Sequence, residues 1–309
     1  MCTAFASNGY FGRTLDFEES FDVGSIIIPR RAEIEFLHLG KREEHLAFVG
    51  AGLVSNGFPL VFDGVNENGL FVAALNFPKS AVYLKSSGAR YDIASFELVA
   101  LVLSVCRTAK EGAELLKKCR ITDEAFSEEL PPSPLHWFVA DGCCCYTVEQ
   151  TEEGLRIHEN SLGVLTNEPP FPYQLEHLSN FSGLSARAPK DGFVERLGIS
   201  ASSRGVGTVG LPGDFTSQSR FVRASYVVHN TEAESEEEKC VARHFKMAAS
   251  VSVPRGCVVT HDGKSVCTVY TSCASKAGYW YSKYDSIDIK SIKFSDIDIN
   301  VNLPIFTEL

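Results

Sequence analysis

Chemistry is concentrated at the start of the chain. Met1-Cys2-Thr3 places a small residue after the initiator methionine, a context in which that methionine is commonly removed. Removal would leave Cys2 with a thiol and a free α-amino group on one residue. An α-amino group titrates near ~7.7 to 8.0 and a thiol near ~8.5, so the amine can act as a general base close to neutral pH. A nucleophile that carries its own base can open an amide without a histidine. Further on stands Phe11-Gly12-Arg13-Thr14-Leu15-Asp16. If this stretch folds back on residues 3–7, Arg13 would favour the thiolate and Asp16 could hold the amino group. On these residues alone, an incidental cysteine and a surface Arg beside an Asp remain open.

Other motifs carry less. Gly205-Val206-Gly207-Thr208-Val209-Gly210 matches G-x-G-x-x-G, but Leu211-Pro212-Gly213 follows and would break the helix that a dinucleotide fingerprint requires. It reads as a turn-rich loop. Walker and G-x-S-x-G patterns are absent. The eight histidines form neither H-E-x-x-H nor a close pair with a cysteine, and no C-x-x-C occurs, so no zinc site is expected. Cys143, Cys144 and Cys145 would alternate faces of a strand, which suits small buried hydrophobes better than a shared ion.

These residues need elements to hold them. Thr3 to Ser7, Asn8-Gly9 and Tyr10 to Thr14 read as a hairpin, because Asn-Gly supplies the positive φ angles of a type I′ turn. Strands are expected at Ser25 to Ile28, Leu46 to Leu53, Pro59 to Phe62 and Leu70 to Phe77. From Asp92 the spacing of Phe96, Val99, Ala100 and Leu103 suits a buried helix. A second helix starts at the Thr108/Glu111 capping box and runs to Cys119. Strands at Leu135 to Ala140, Cys143 to Gln150, Leu155 to Glu159 and Val164 to Thr166 precede a helix over Phe171 to Asn180. The segment Ser182 to Phe215 reads as a long loop of the functional or assembly kind. A helix opened by Glu232, Glu234 and Glu236 to Glu238 and running to about Val251, and strands at Thr268 to Ser272, Gly278 to Ser282 and Ser286 to Phe294, complete the pattern. This order suits a layered α+β domain with two stacked sheets between helix layers.

Composition narrows the partners. The 309 residues carry 29 Lys and Arg against 39 Asp and Glu, a net charge of −10, and 44% are hydrophobic. That is enough apolar content for an ordinary core, and the acidic balance disfavours nucleic acid. Residues 3–12 lack the basic start and unbroken apolar stretch of a secretory signal, and the longest apolar stretch, Leu98 to Cys106, is too short to span a bilayer. The ten cysteines then read as reduced thiols in a soluble cytoplasmic protein with no membrane partner.

Ten blocks in order resemble the choloylglycine hydrolase family of bile salt hydrolases and penicillin V acylases. They are Met1-Cys2-Thr3, Phe11 to Asp16, Asn66-Glu67-Asn68-Gly69-Leu70, Leu75-Asn76-Phe77-Pro78, Leu135-His136-Trp137, Val148-Glu149-Gln150, Gly163 to Asn167, Gly210 to Thr216, Ser219-Arg220-Phe221 and Tyr270-Thr271-Ser272-Cys273. The resemblance implies a single domain over 1–309 with the four-layer αββα sandwich of N-terminal nucleophile hydrolases, Met1 removed and Cys2 as nucleophile. It implies Arg13 and Asp16 beside it, Asn76 and Asn167 at the oxyanion hole, and Arg220 as a second active-site arginine. A backbone N–H at Asn76 and the side-chain amide of Asn167 could donate to the developing oxyanion. Leu15, Phe58, Phe62, Leu130 and Leu135 fall where the family lines its acyl-side pocket. The resemblance further implies a homotetramer, for which 182–215 is a candidate assembly arm. Asn at 76 resembles the bile salt hydrolases, whereas penicillin V acylases more often carry Tyr. The implied substrate is a glycine- or taurine-conjugated bile acid; penicillin V, or a nonenzymatic member that keeps Met1, are the alternatives.

Overall fold

The computed structural model describes residues 1–18, 23–190, 193–200 and 203–308. In chain order the elements are β1 (Cys2–Ser7), β2 (Tyr10–Phe17), β3 (Gly24–Ile28), β4 (Ile34–Phe36), β5 (Gly40–Arg42), β6 (Phe48–Ser55), β7 (Phe58–Asn66), β8 (Phe71–Asn76) and β9 (Asp92–Ala94). Then come α1 (Leu98–Val105), α2 (Ala109–Leu116), β10 (Arg120–Thr122), β11 (Leu135–Ala140), β12 (Cys145–Thr151), β13 (Gly154–Glu159), β14 (Val164–Leu165) and α3 (Phe171–Ser179). The chain continues with α4 (Ser217–Asn230), α5 (Glu237–Ala249), β15 (Val258–Val259), β16 (Ser265–Ser275), β17 (Gly278–Lys283), β18 (Lys290–Lys293) and β19 (Ile305–Glu308).

Two sheets hold most of the strands. One runs β14-β1-β2-β16-β17-β18, with β15 on β16, and the other runs β13-β12-β11-β8-β7-β6-β3-β19. They stack face to face where β1 and β2 meet β8 and β17 meets β6 and β7. Helices α4 and α5 cover the outer face of the first sheet, and α1 and α2 cover that of the second. The result is the four-layer αββα sandwich. One apolar core fills the space between the sheets and under α4 and α5; another lies under α1 and α2.

The opening hairpin turns at Asn8 (φ 52°) and Gly9 (φ 75°), the left-handed pair its type I′ turn demands. Thr108 caps α2 by accepting from the Glu111 N–H. The turn-rich reading of 205–210 holds: Val206–Thr208 is a single 3-10 turn.

Several expectations need correction. Asp92–Ala94 is not helix but a short strand paired in parallel with β10, and the helix begins only at Leu98. Cys143 and Cys144 precede the strand in a turn held by the Asp141 carboxylate, which accepts from both N–H groups; only Cys145 belongs to β12. Strand β7 runs on to Asn66, well past Phe62. Helix α4 and strand β19 were not anticipated. Positions 191–192 and 201–202 of the candidate assembly arm lie outside the described residues. Among the described residues no helix is long and apolar enough to cross a membrane.

Candidate active site

Cys2 opens β1, which has β14 on one side and β2 on the other, so its backbone is held within a sheet. The antiparallel register sets Cys2 opposite Leu15 and Ala4 opposite Arg13. Alternation along β2 then puts Arg13 and Leu15 on the face that meets the second sheet, together with the Cys2 thiol. Thr3, Thr14 and Asp16 fall on the other face, towards α4.

Arg13 is fully buried. Its Nη2 donates to Cys2 Sγ and its Nη1 to the Ala74 carbonyl at 2.5 Å. Burial by itself would lower the guanidinium, but Cys2, Tyr270, Asp63 and Asp16 more than offset it, so Arg13 stays charged. On the opposite face the Asp16 carboxylate accepts from Thr268 Oγ1 at 2.6 Å and from Thr14 Oγ1 at 3.3 Å. With Met1 attached, the Cys2 nitrogen is a peptide N–H that donates to Asn167 Oδ1 at 2.8 Å, and the Met1 amino group donates to the Asp16 carbonyl at 2.6 Å.

Arg220 comes from α4, whose N-cap Thr216 accepts from the Ser219 N–H. Its Nη1 donates to the Cys2 carbonyl at 2.5 Å and to Thr3 Oγ1 at 2.7 Å, and its Nη2 donates to Asn167 Oδ1 at 2.7 Å. Asp16 lies 4.0 Å from Nη1. Burial lowers the Arg220 guanidinium, with Asp16 and Cys2 opposing. Asn167 thus bridges Cys2, Arg220 and, through Nδ2, the Asn76 carbonyl at 2.7 Å.

Asn76 ends β8, where the ladder with β7 stops at the Asp63–Ala73 pair. Phe77 N–H already donates to Pro134 on the β11 side, so the main-chain groups of Ala74 and Asn76 turn to the side β7 has vacated. Both carbonyls there are taken, by Arg13 and Asn167. The Asn76 N–H shares that side.

A cavity of about 370 Å³ opens from Cys2 and Arg13. Of the expected wall residues, Leu15, Phe62, Leu130 and Leu135 line it, with Asn76 and Ala74 at its inner end. Phe58 does not line it: it packs edge-to-face against Phe96 and beside Phe126, which themselves form the wall in front of it. Phe17, Leu60, Val61, Phe96, Val99, Phe126 and Pro131 to Pro134 are wall residues that sequence reasoning missed. A further missed residue is Asp63, buried in β7 behind Arg13; a charge inside an apolar strand pattern was its signal.

With this geometry in hand, comparison with known proteins is direct. The family model for linear amide C–N hydrolases, choloylglycine hydrolase family, matches residues 2–307. The bile salt hydrolase/transferase of Lactiplantibacillus plantarum is 38% identical over 96% of this chain and 93% of its own length. The conjugated bile acid hydrolase of Lactobacillus acidophilus is 34% identical over 97% and 98%. Among solved structures, a variant of the conjugated bile acid hydrolase from Clostridium perfringens superposes with a TM-score of 0.90 at 30% identity, covering 100% of this chain and 97% of that one. The penicillin V acylase of Agrobacterium tumefaciens shares the fold, with a TM-score of 0.79 at 21% identity over 99% and 91% of the two chains. Full-length agreement in both sequence and architecture makes this chain a member of the choloylglycine hydrolase family of linear amide C–N hydrolases.

Proposed function

We propose that this chain hydrolyses the amide of glycine- or taurine-conjugated bile acids, with Cys2 as nucleophile after removal of Met1. The observation that carries the reading is the cavity itself: Cys2 Sγ and the Arg13 guanidinium, hydrogen-bonded to each other, at one end of a wall that is otherwise almost wholly apolar. Such a site takes a bulky hydrophobic acyl group and presents its carbonyl to the sulfur. The relatives named above, bile salt and conjugated bile acid hydrolases at 38% and 34% identity, support the same substrate class.

In this reading, which needs no metal or organic cofactor, Arg13 donates to Cys2 Sγ and steadies the negative charge that gathers on sulfur as its proton leaves, and Sγ attacks the amide carbon to form a C–S bond. Charge moves to the amide oxygen, where the Asn76 N–H and the second hydrogen of Asn167 Nδ2 receive it. The α-amino group of Cys2 takes the thiol proton and passes it to the nitrogen as the C–N bond breaks, releasing glycine or taurine. Water then cleaves the thioester and restores the thiol. Asn167 Oδ1 and Arg220 hold the main chain of Cys2 through these steps, and Asp16 balances the Arg220 charge. The whole of 1–309 acts as one catalytic domain.

Two broader readings accompany it. All ten cysteines are free, which favours a reducing compartment, and we read the protein as cytoplasmic. The arm 182–215 exposes Phe193, Leu197 and Val209, which favours burial between copies in a homotetramer.

Comparing kcat/KM for glycocholate, taurocholate and penicillin V in one buffer tests the substrate. The two bile acid conjugates should be preferred. A clear preference for penicillin V would overturn the substrate and keep the nucleophile, and no turnover of any would overturn both.

A further inference from the structure

Asp63 sits mid-strand in β7, completely buried between the sheets and outside the cavity wall. Three hydroxyls meet its carboxylate. Tyr270 donates to Oδ1, and Ser272 and Tyr279 donate to Oδ2, each at 2.8 Å. A protonated carboxyl gives up part of its acceptor capacity, so three converging donors suit the ionised form. Ser272 Oγ also accepts from the Arg13 main-chain N–H at 3.2 Å, which leaves its single proton for Asp63. The carboxylate is therefore one hydroxyl away from the residue that touches the sulfur. Burial leaves the Asp63 carboxyl above its ordinary value, with Arg13 and the three hydroxyls opposing; the geometry of three donors on two oxygens is what favours the ionised form. Burial also raises Tyr270 and Tyr279, which keeps both as donating phenols.

The charges gathered here come from every packed element. They are Cys2 on β1, Arg13 and Asp16 on β2, Asp63 on β7, the phenols Tyr270 on β16 and Tyr279 on β17, Arg220 on α4 and, behind Gly12, His244 on α5, held neutral by burial. Two guanidinium groups and, once Met1 is removed, the Cys2 α-amino group thus face two carboxylates. Neutralising either carboxylate would increase the positive charge beside the sulfur.

We propose that Asp63 is a positioning residue for amide cleavage, a buried counter-charge that holds Arg13 in place through Ser272 and limits how strongly Arg13 draws negative charge onto Cys2. The inference rests on the reading of Cys2 as the attacking thiol. A sulfur over-stabilised as thiolate is a poorer nucleophile, so the counter-charge keeps it reactive.

Asp63→Asn in the full chain removes the charge and keeps the shape. The rate of Cys2 alkylation by iodoacetamide, followed by peptide mass mapping between about pH 5 and 10, reads the thiolate directly. Its midpoint should move about one pH unit lower than in the parent protein. Turnover of glycocholate should show a lower kcat with KM little changed. A midpoint that stays put or rises in the folded variant would overturn the proposal, leaving Asp63 a packing residue. If Asp63→Asn does not fold, Tyr270→Phe and Ser272→Ala each remove one donor to the carboxylate. Each should lower the midpoint by a smaller step, and no movement in either overturns the proposal equally. A parent protein whose Cys2 resists alkylation throughout would overturn the nucleophile reading and this one together.

Discussion

The candidate site residues form two linked groups around Cys2. Arg13 holds the Cys2 side chain from the inner face, while Asn167 and Arg220 hold its main chain from the outer one. This division assigns different losses to different substitutions. Cys2→Ala should abolish amide hydrolysis and leave the fold intact, as judged by circular dichroism and thermal unfolding, since the truncated side chain is small. Asn167→Ala removes a candidate oxyanion donor and should cost about 3 kcal/mol of transition-state stabilisation. Steady-state kinetics should then show the loss in kcat and not in KM, because an oxyanion exists only on the way to the transition state. A change confined to KM would contradict the assigned role. Arg13 beside the Cys2 thiol could be read from the folded-back hairpin, and the structure places it there. Asn76, Asn167 and Arg220 were legible only through the resemblance, and the bonds of Asn167 and Arg220 to the Cys2 main chain were not legible, because they join residues more than 160 positions apart. The Asp16 carboxylate likewise meets Thr268, a partner that only the β2–β16 pairing brings near.

Elements were legible where a local signal set them. The Asn8-Gly9 turn, the Thr108 cap and the apolar alternation of β11 each name their own structure within a few residues. Asp92–Ala94 was misread because its neighbours continue an apolar helical spacing, whereas pairing with the distant β10 decides its form. Helix α4 was not legible although Thr216 with Ser219 caps it, because buried Ser219, Arg220, Arg223 and Ser225 interrupt the apolar stripe of Phe221, Ala224 and Val228. That helix matters to the site through its first turn. Arg220 leaves α4 close to the Thr216 cap, and its Nε donates to the Phe215 carbonyl at 3.1 Å. Thr216→Ala should lower stability by about 1 kcal/mol, measured by chemical denaturation. It should also reduce kcat, since a frayed first turn releases the guanidinium that holds Cys2. Loss of stability with full activity would mean that Arg220 keeps its place without the cap.

At the scale of the molecule, the αββα architecture explains why so few helices suffice: each sheet needs only one face covered because the other is buried against its neighbour. The assembly of copies is tested on the 182–215 arm, where Phe193→Asp with Leu197→Asp should convert a tetramer to smaller species by sedimentation velocity. An unchanged mass would place the subunit contact elsewhere. The stacked sheets also fix where motion can occur. Cys2 belongs to a strand hydrogen-bonded along its length to β2 and locked below by Arg220 and Asn167. A sulfur anchored in this way cannot travel to meet a carbonyl, so the carbonyl must travel to it. The part of the cavity wall built from loop and not from sheet is Phe126 and Leu130 to Pro134, and three prolines restrict its backbone. An entering acyl group would therefore meet a sulfur and a wall whose places are largely set before it arrives, so that fit is decided by the shape already built into the chain.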